Sequence, residues 1–229
     1  MQLHVLNHTL NFPDINSALD HPDGLLAIGG DLNPDRLIRA YYHGIFPWFS
    51  EEDPLLWWSP GTRAILDPKR LHISHSMRKW LKKTTFHVTV NNAFTDIIRH
   101  CATRPNHEGT WITNEMIMAY CKLHQMGYAH SVEVWEQQQL VGGLYGICIG
   151  QLFCGESMFH LQTNASKLAF IRLVQHFSAH GGQLIDAQMP TEHLMSMGVQ
   201  PCSRNHFKSC LEQLRDRSIA KNCWDPQTL

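Results

Sequence analysis

The chain has 229 residues, 43% hydrophobic and 17% charged, with a formal net charge of -1. That length allows one large domain or two small ones, with enough apolar content for a full core. The near-zero charge excludes a global pull toward nucleic acid, so any such contact needs a local basic patch.

Neither an eighteen-residue apolar run nor a signal-peptide pattern is visible, which predicts a soluble, unexported protein without membrane contact. The seven cysteines contain no C-x-x-C pair, so they read as reduced thiols of a cytoplasm and not as a disulfide frame or zinc site. The sixteen histidines lack H-E-x-x-H or similar spacing, so no metal is expected.

Residues 1–62 read as a small, loop-rich N-terminal domain. Asn33-Pro34 supplies a cap and a proline at the first helical position, Leu37, Ile38 and Tyr41 give that helix an apolar face, and Gly44 ends it. Phe46, Trp48, Phe49, Trp57 and Trp58 cluster around it, and Pro47, Pro54 and Pro60 make long regular elements improbable. Such a cluster is either a small aromatic core or a core with one indole exposed to stack on a base.

The segment 74–83 predicts a helix with Met77, Trp80 and Leu81 inward. Its other face carries His75, Arg78, Lys79, Lys82 and Lys83 at i, i+3, i+4, i+7 and i+8, with no acid among them. Solvated faces usually alternate sign, so this stripe suggests contact with a phosphate backbone.

Alternation over 86–90 predicts a strand. A helix follows over 92–101 with Phe94, Ile97, Ile98 and Cys101 inward. A second helix is capped by Thr113, keeps Ile117, Tyr120 and Leu123 inward, and stops at Gly127. Three strands come next, over 130–135, 140–148 and 152–159. Residues 164–182 form a helix that Asn164 caps, with Leu168, Phe170, Ile171, Leu173, Val174 and Phe177 on its apolar side and Gly181-Gly182 as its stop. The strand after it, 184–189, should run parallel to the strand before it, through a right-handed crossover. Period two puts Leu184, Asp186 and Gln188 on one face of that strand. A carboxylate inside an apolar strand costs free energy unless paired, so Asp186 marks a candidate site. Thr191 and Ser203 cap two final helices.

The order over 86–216 is β-α-α-β-β-β-α-β-α-α, which predicts an α+β fold of acetyltransferase-like (GNAT) type. A mixed sheet is flanked by helices and spans 63–229. Enzymes of that fold which use acetyl-CoA hold its pyrophosphate on a glycine-rich turn at a helix N-terminus. Here the turn is Phe159-His-Leu-Gln-Thr-Asn164, without glycine or arginine, so an acetyl-CoA cofactor is not expected.

Several stretches together resemble the leucyl/phenylalanyl-tRNA–protein transferase family. They are Leu25-Leu-Ala-Ile-Gly-Gly-Asp-Leu32, Gly44-Ile-Phe-Pro-Trp-Phe-Ser50, Trp57-Trp-Ser-Pro60, Gly109-Thr-Trp-Ile-Thr113, Phe153-Cys-Gly-Glu-Ser-Met-Phe159, Asn164-Ala-Ser-Lys167 and Leu184-Ile-Asp-Ala-Gln188. The resemblance covers nearly the whole chain. It implies transfer of leucine or phenylalanine, with methionine as a further donor, from tRNA to proteins beginning with Arg or Lys, which marks them for N-end rule degradation.

On that resemblance Asp186 and Gln188 are the catalytic pair, Asp186 orienting and polarising the Gln188 amide toward the attacking amine. Glu156 receives the acceptor's cationic group, and Trp48 and Trp111 stack on the terminal adenosine. Leu144, Phe153, Phe170, Leu173, Phe177 and Ile185 are candidates for the aminoacyl pocket, with core packing as the other reading of each. Tyr41 and Tyr120 are secondary donor contacts, and Arg78, Lys79, Lys82 and Lys83 hold the acceptor stem. Cys154 reads as packing and not as a nucleophile. The chain departs from the family pattern at His160-Leu161, where Ser-Arg is expected. No cofactor is expected, because the aminoacyl ester arrives activated, and the chain should act as a monomer. Two other functions fit parts of the sequence: an acyl-CoA N-acyltransferase on the same fold, and a non-catalytic RNA-binding module.

Overall fold

The computed structural model describes residues 3–103 and 111–229. Gly109 and Thr110 of the Gly109–Thr113 motif lie outside the described residues. The elements in chain order are β1 (His4–Leu6), β2 (Leu25–Gly29), α1 (Pro34–Tyr42), β3 (Phe46–Pro47), β4 (Leu56–Trp58), β5 (Thr62–Leu66), α2 (His75–Leu81), β6 (His87–Val90), α3 (Phe94–Ala102), α4 (Asn114–Gln125), β7 (Ala129–Glu136), β8 (Gln139–Ile149), β9 (Leu152–His160), α5 (Ala165–Ala179), β10 (Leu184–Gln188), α6 (Glu192–Met195), β11 (Gln200–Ser203), α7 (Arg204–Leu214) and β12 (Gln227–Thr228).

The N-terminal part carries more order than its prolines predict. Four short strands form a sheet in the order β1-β2-β4-β3. Trp57 is fully buried and donates from its indole to the Gly29 carbonyl at 2.9 Å. α1 starts as expected: Asn33 accepts from the Asp35 N–H, and Pro34 occupies the first turn, where no donor is needed. The core of this part is continuous with the rest, since Leu26, Leu37 and Trp57 share one cluster with Phe94, Tyr120 and Tyr145.

Among the described residues the larger sheet is mixed, in the order β11-β5-β10-β9-β8-β7-β6-β12. Its β9–α5–β10 unit is the predicted parallel crossover, with Leu184 opposite Leu152 and Asp186 opposite Cys154. Alternation sorts the side chains: Tyr145, Ile147, Cys154 and Leu184 face one core, and Leu144, Phe153 and Ile185 face the other, which α5 covers. α5 lies close on β8 because Gly142 has no side chain; a Cβ there would sit 2.5 Å from the Ala165 methyl.

Three local expectations change. β5 and β11 were not foreseen as strands, yet β5 pairs with both β10 and β11. Asn164 is not a side-chain cap: it sits at φ 71°, a left-handed turn that asparagine tolerates, and makes no capping bond. Strict alternation in β10 ends at a bulge between Asp186 and Gln188, with Gln188 at φ 60°. Thr113, Thr191 and Ser203 cap their helices as read.

No helix among the described residues is long and apolar enough to cross a membrane. None of the seven cysteines is in a disulfide.

Candidate active site

The site forms where the sheet comes apart. The ladder between β9 and β10 ends at the Cys154–Asp186 pair, although β9 continues to His160 and β10 bulges toward β5. A cavity of about 340 Å³ occupies the gap. Leu144, Phe170, Leu173 and Ile185 come from the α5 side of the sheet, and Tyr145, Glu156, Asp186 and Gln188 from the other. Lining drawn from both faces is what a gap between strands produces.

Asp186 is 1% exposed and paired. Arg63 on β5 faces the same core and donates to both carboxylate oxygens, Nε to Oδ1 at 2.8 Å and Nη2 to Oδ2 at 2.6 Å. The guanidinium also donates to the Gly44 carbonyl at 3.1 Å and lies over the rings of Phe46 and Phe207, at 4.8 and 4.4 Å. Burial works against its charge, but Asp186 more than offsets this and raises the Arg63 pKa. This two-toothed pair answers the cost that Asp186 would otherwise carry.

The expected contact between Asp186 and the Gln188 amide is replaced by two others. Asp186 Oδ1 accepts the backbone N–H of Gln188 at 2.9 Å and so holds the left-handed bulge. The Gln188 amide is held by Glu156, with Nε2 donating to Oε1 at 2.7 Å. Because the NH₂ end is engaged with a carboxylate, the amide oxygen is the end left for an incoming donor.

Glu156 is therefore not an open cation receptor. It is 8% exposed, and it also accepts from the Tyr120 hydroxyl at 3.2 Å. Burial raises its pKa to about 7, against the opposing effect of the tyrosine hydroxyls. Tyr41 and Tyr120 hydrogen-bond to each other inside the core and are not placed to touch a donor directly. Burial, reinforced by the Glu156 charge, holds both phenols well above their ordinary pKa, so they stay neutral donors. The Cys154 thiol donates to Asp186 Oδ2 at 3.2 Å, and burial followed by the two carboxylates pushes its pKa well up. A thiol held protonated is a poor nucleophile.

Of the six pocket candidates, Leu144, Phe170, Leu173 and Ile185 line the cavity. Phe153 and Phe177 do not: both are fully buried, pack against each other at 6.1 Å, and are backed by Trp224 at 5.5 and 5.9 Å. Trp111 lines the cavity. Trp48 instead lines a neighbouring hollow of about 380 Å³ with Trp58, Thr62 and Pro190, and Met189 belongs to both. The two indoles thus flank Met189 from adjoining hollows and do not share one. Trp48 is 39% exposed and packs edge-on against Trp58 at 5.6 Å, so it is the exposed indole of its cluster.

Arg78, Lys79, Lys82 and Lys83 are exposed at and just beyond the end of α2, and none lines the cavity. Arg78 is partly engaged, donating to the Ile73 carbonyl at 2.9 Å. His160 and Leu161 are exposed at the end of β9.

Two residues were missed from the sequence. Arg63 announces itself only as a cation inside the apolar strand Thr62–Leu66. Tyr145 is fully buried in the cavity wall, and its hydroxyl has no hydrogen-bond partner among the described residues. Burial, followed by the Glu156 charge, raises its pKa well above the ordinary value. Nothing in the run Leu144-Tyr-Gly-Ile147 distinguishes it from a packing aromatic.

Comparison with known proteins shows the family of this chain. The sequence profile of the leucyl/phenylalanyl-tRNA protein transferase family matches residues 65–212, and that of its N-terminal domain matches residues 30–61. A leucyl/phenylalanyl-tRNA--protein transferase of Psychromonas ingrahamii is 56% identical over 98% of this chain and 94% of its own length. That of Tolumonas auensis is also 56% identical, over 98% and 96%. That of Pectobacterium carotovorum is 54% identical over 100% and 98%. Among solved structures, L-PGS from Bacillus licheniformis is 13% identical with a TM-score of 0.41, over 76% of this chain and 61% of that one. The chain belongs to the leucyl/phenylalanyl-tRNA protein transferase family.

Proposed function

We propose that this chain transfers leucine or phenylalanine, with methionine as a further donor, from aminoacyl-tRNA to the α-amino group of proteins beginning with Arg or Lys. The product is the degradation signal of the bacterial N-end rule, made in the cytoplasm, where charged tRNA is found. The observation that carries the reading is an amide, Gln188, locked by Glu156 in the wall of an apolar cavity at a strand gap.

The larger part, 63–229, takes the acetyltransferase-like (GNAT) arrangement, with residues 1–62 as the N-terminal domain. The parallel β9–α5–β10 crossover and the gap at its end support this. No cofactor is required, because an aminoacyl ester is already activated.

The free acceptor amine has a pKa of about 7.7–8.0, so roughly a tenth is neutral at pH 7 and full deprotonation costs only about 1 kcal/mol. A weak, well-placed acceptor therefore suffices. The Gln188 oxygen receives a hydrogen bond from the amine and aims its lone pair at the ester carbonyl. Glu156 fixes the direction of that amide. Asp186, held by Arg63, sets the backbone of the bulge that presents Gln188. The lone Tyr145 hydroxyl is the donor available to the oxyanion that develops as the amine attacks. As the C–N bond forms and the C–O bond breaks, the amine's proton passes through solvent to the ribose 3′-oxygen, which leaves as a hydroxyl.

Leu144, Phe170, Leu173 and Ile185 shape the hole for the aminoacyl side chain. Such a surface discriminates by about 1–3 kcal/mol per methylene, so related apolar side chains should leak through. Trp111, in the cavity, stacks with the terminal adenosine, Trp48 offers a second platform from the adjoining hollow, and the α2 cations track the acceptor stem.

The test is transfer of labelled leucine from charged tRNA to a peptide beginning with Arg. An N-acetylated version of the peptide should stay unlabelled, and absence of label on the free peptide would refute the reading.

A further inference from the structure

We propose that His176, His180 and Cys223 form a zinc site that fastens the C-terminal tail to the end of α5. The site lies apart from the cavity and does not depend on the transferase reading.

His176 and His180 are one helical turn apart, so both imidazoles stand on one face of α5. Cys223, fully buried, comes from the tail after α7. One ligand atom from each of the three lies within 4.8 Å of the others. Tetrahedral zinc, with Zn–N near 2.0–2.1 Å and Zn–S near 2.3 Å, puts such atoms roughly 3.3–3.6 Å apart. A bound metal would draw such atoms closer by about 1 Å.

The hydrogen bonds around the cluster favour a metal over a simple polar contact. His176 Nε2 donates to the Cys223 carbonyl at 2.6 Å, and His180 Nδ1 donates to the His176 carbonyl at 2.8 Å. A carbonyl only accepts, so each of these nitrogens carries its proton. His176 Nδ1 and His180 Nε2 are left with lone pairs. This is the tautomer pattern of zinc-bound histidines, whose other nitrogen is anchored on a carbonyl or carboxylate. The rings lie 4.2 Å apart. The C-terminal carbonyls of a fifteen-residue helix add a partial negative charge that favours a cation. Two imidazoles and a thiolate select zinc over magnesium or calcium, which take oxygen ligands. A solvent molecule completes the fourth position.

The tail is already docked at the same place: the Ala220 N–H donates to the His180 carbonyl, and Trp224 packs behind Phe153 and Phe177. A bound metal would fix that packing.

The test uses the full chain, reduced and stripped with chelator, then titrated with Zn²⁺ or Co²⁺. One equivalent should bind, with one proton released as the Cys223 thiol becomes a metal-bound thiolate. Cobalt should show a thiolate-to-metal charge-transfer band. Cys223→Ser should abolish that band. His180→Ala, at the helix end, should weaken binding at least about 100-fold while keeping its circular dichroism and its transferase rate. Zinc at about 100 times its Kd should raise Tm by roughly 5–10 °C. Absence of saturable binding, or equal binding by wild type, Cys223→Ser and His180→Ala, would overturn the proposal.

Discussion

Replacing Arg63 by Met should damage the protein more than any surface change could. The variant keeps much of the side-chain length between Phe46 and Phe207 but removes both bonds to Asp186 and the bond to Gly44. Arg63 and Asp186 are 2% and 1% exposed at the side chain, so solvent cannot take over. Breaking a buried pair from one side costs about 3–5 kcal/mol, because a carboxylate is left desolvated. The orphaned Gly44 carbonyl adds about 1 kcal/mol. Against a total stability of about 5–15 kcal/mol, a loss of about 4–6 is severe. Urea unfolding at pH 7 measures it, with an unchanged m-value showing that the denatured state is the same. The cycle with Asp186→Asn should give a coupling energy of about 2 kcal/mol or more, since neutralising the acid removes most of the reason for the arginine. A loss under about 1 kcal/mol for Arg63→Met, or additivity within about 0.5 kcal/mol, would refute the reasoning.

Four further outcomes follow from the same geometry. Glu156 titrates near 7 in the fold but at its ordinary 4.5 when unfolded, so the fold binds more protons between those values and loses stability as pH rises through them, by up to about 3 kcal/mol. Glu156→Gln should remove that slope from a Tm series between pH 4.5 and 7.5; an unchanged slope would contradict the burial argument. Tyr145→Phe should lower kcat by about 10²–10³ with little change in stability, because its hydroxyl has no partner to lose; an unaltered kcat would remove it from the oxyanion role. Lys82→Ala with Lys83→Ala should raise KM for charged tRNA and reduce the magnitude of its log–log salt slope by roughly 1–2, and an unchanged KM would return both lysines to plain solvent. Cys154→Ala should keep measurable transfer, whereas complete loss in a folded variant would reopen a covalent route.

The sequence carried the central crossover plainly, because β9, α5 and β10 are local, strongly patterned and closed by glycines. It flagged Asp186 correctly as a group in need of a partner, but could not name the partner. Arg63 reaches it only because β5, a five-residue strand far away in the chain, inserts between β10 and β11, and such long-range pairing leaves no local trace. Period-two reasoning put Gln188 beside Asp186 on one pleat; the bulge at Ala187 broke that register and handed the amide to Glu156. Phe153 and Phe177 looked like pocket as much as core, and their place was set by Trp224, whose docking depends on the path of the tail. The indoles illustrate the same limit. Composition showed a cluster, while only packing distinguishes the buried Trp57 from the exposed Trp48.

The central claim is that the Gln188 amide, aimed by Glu156, places the amine on the ester. Single-turnover transfer from leucyl-tRNA to an Arg-initiated peptide, at saturating concentrations of both, reads this step directly for wild type and Gln188→Ala. The rate should fall at least about 100-fold for Gln188→Ala while the KM values for tRNA and peptide stay within about twofold. A variant that transfers at the wild-type rate would show that the amine finds the ester without this amide.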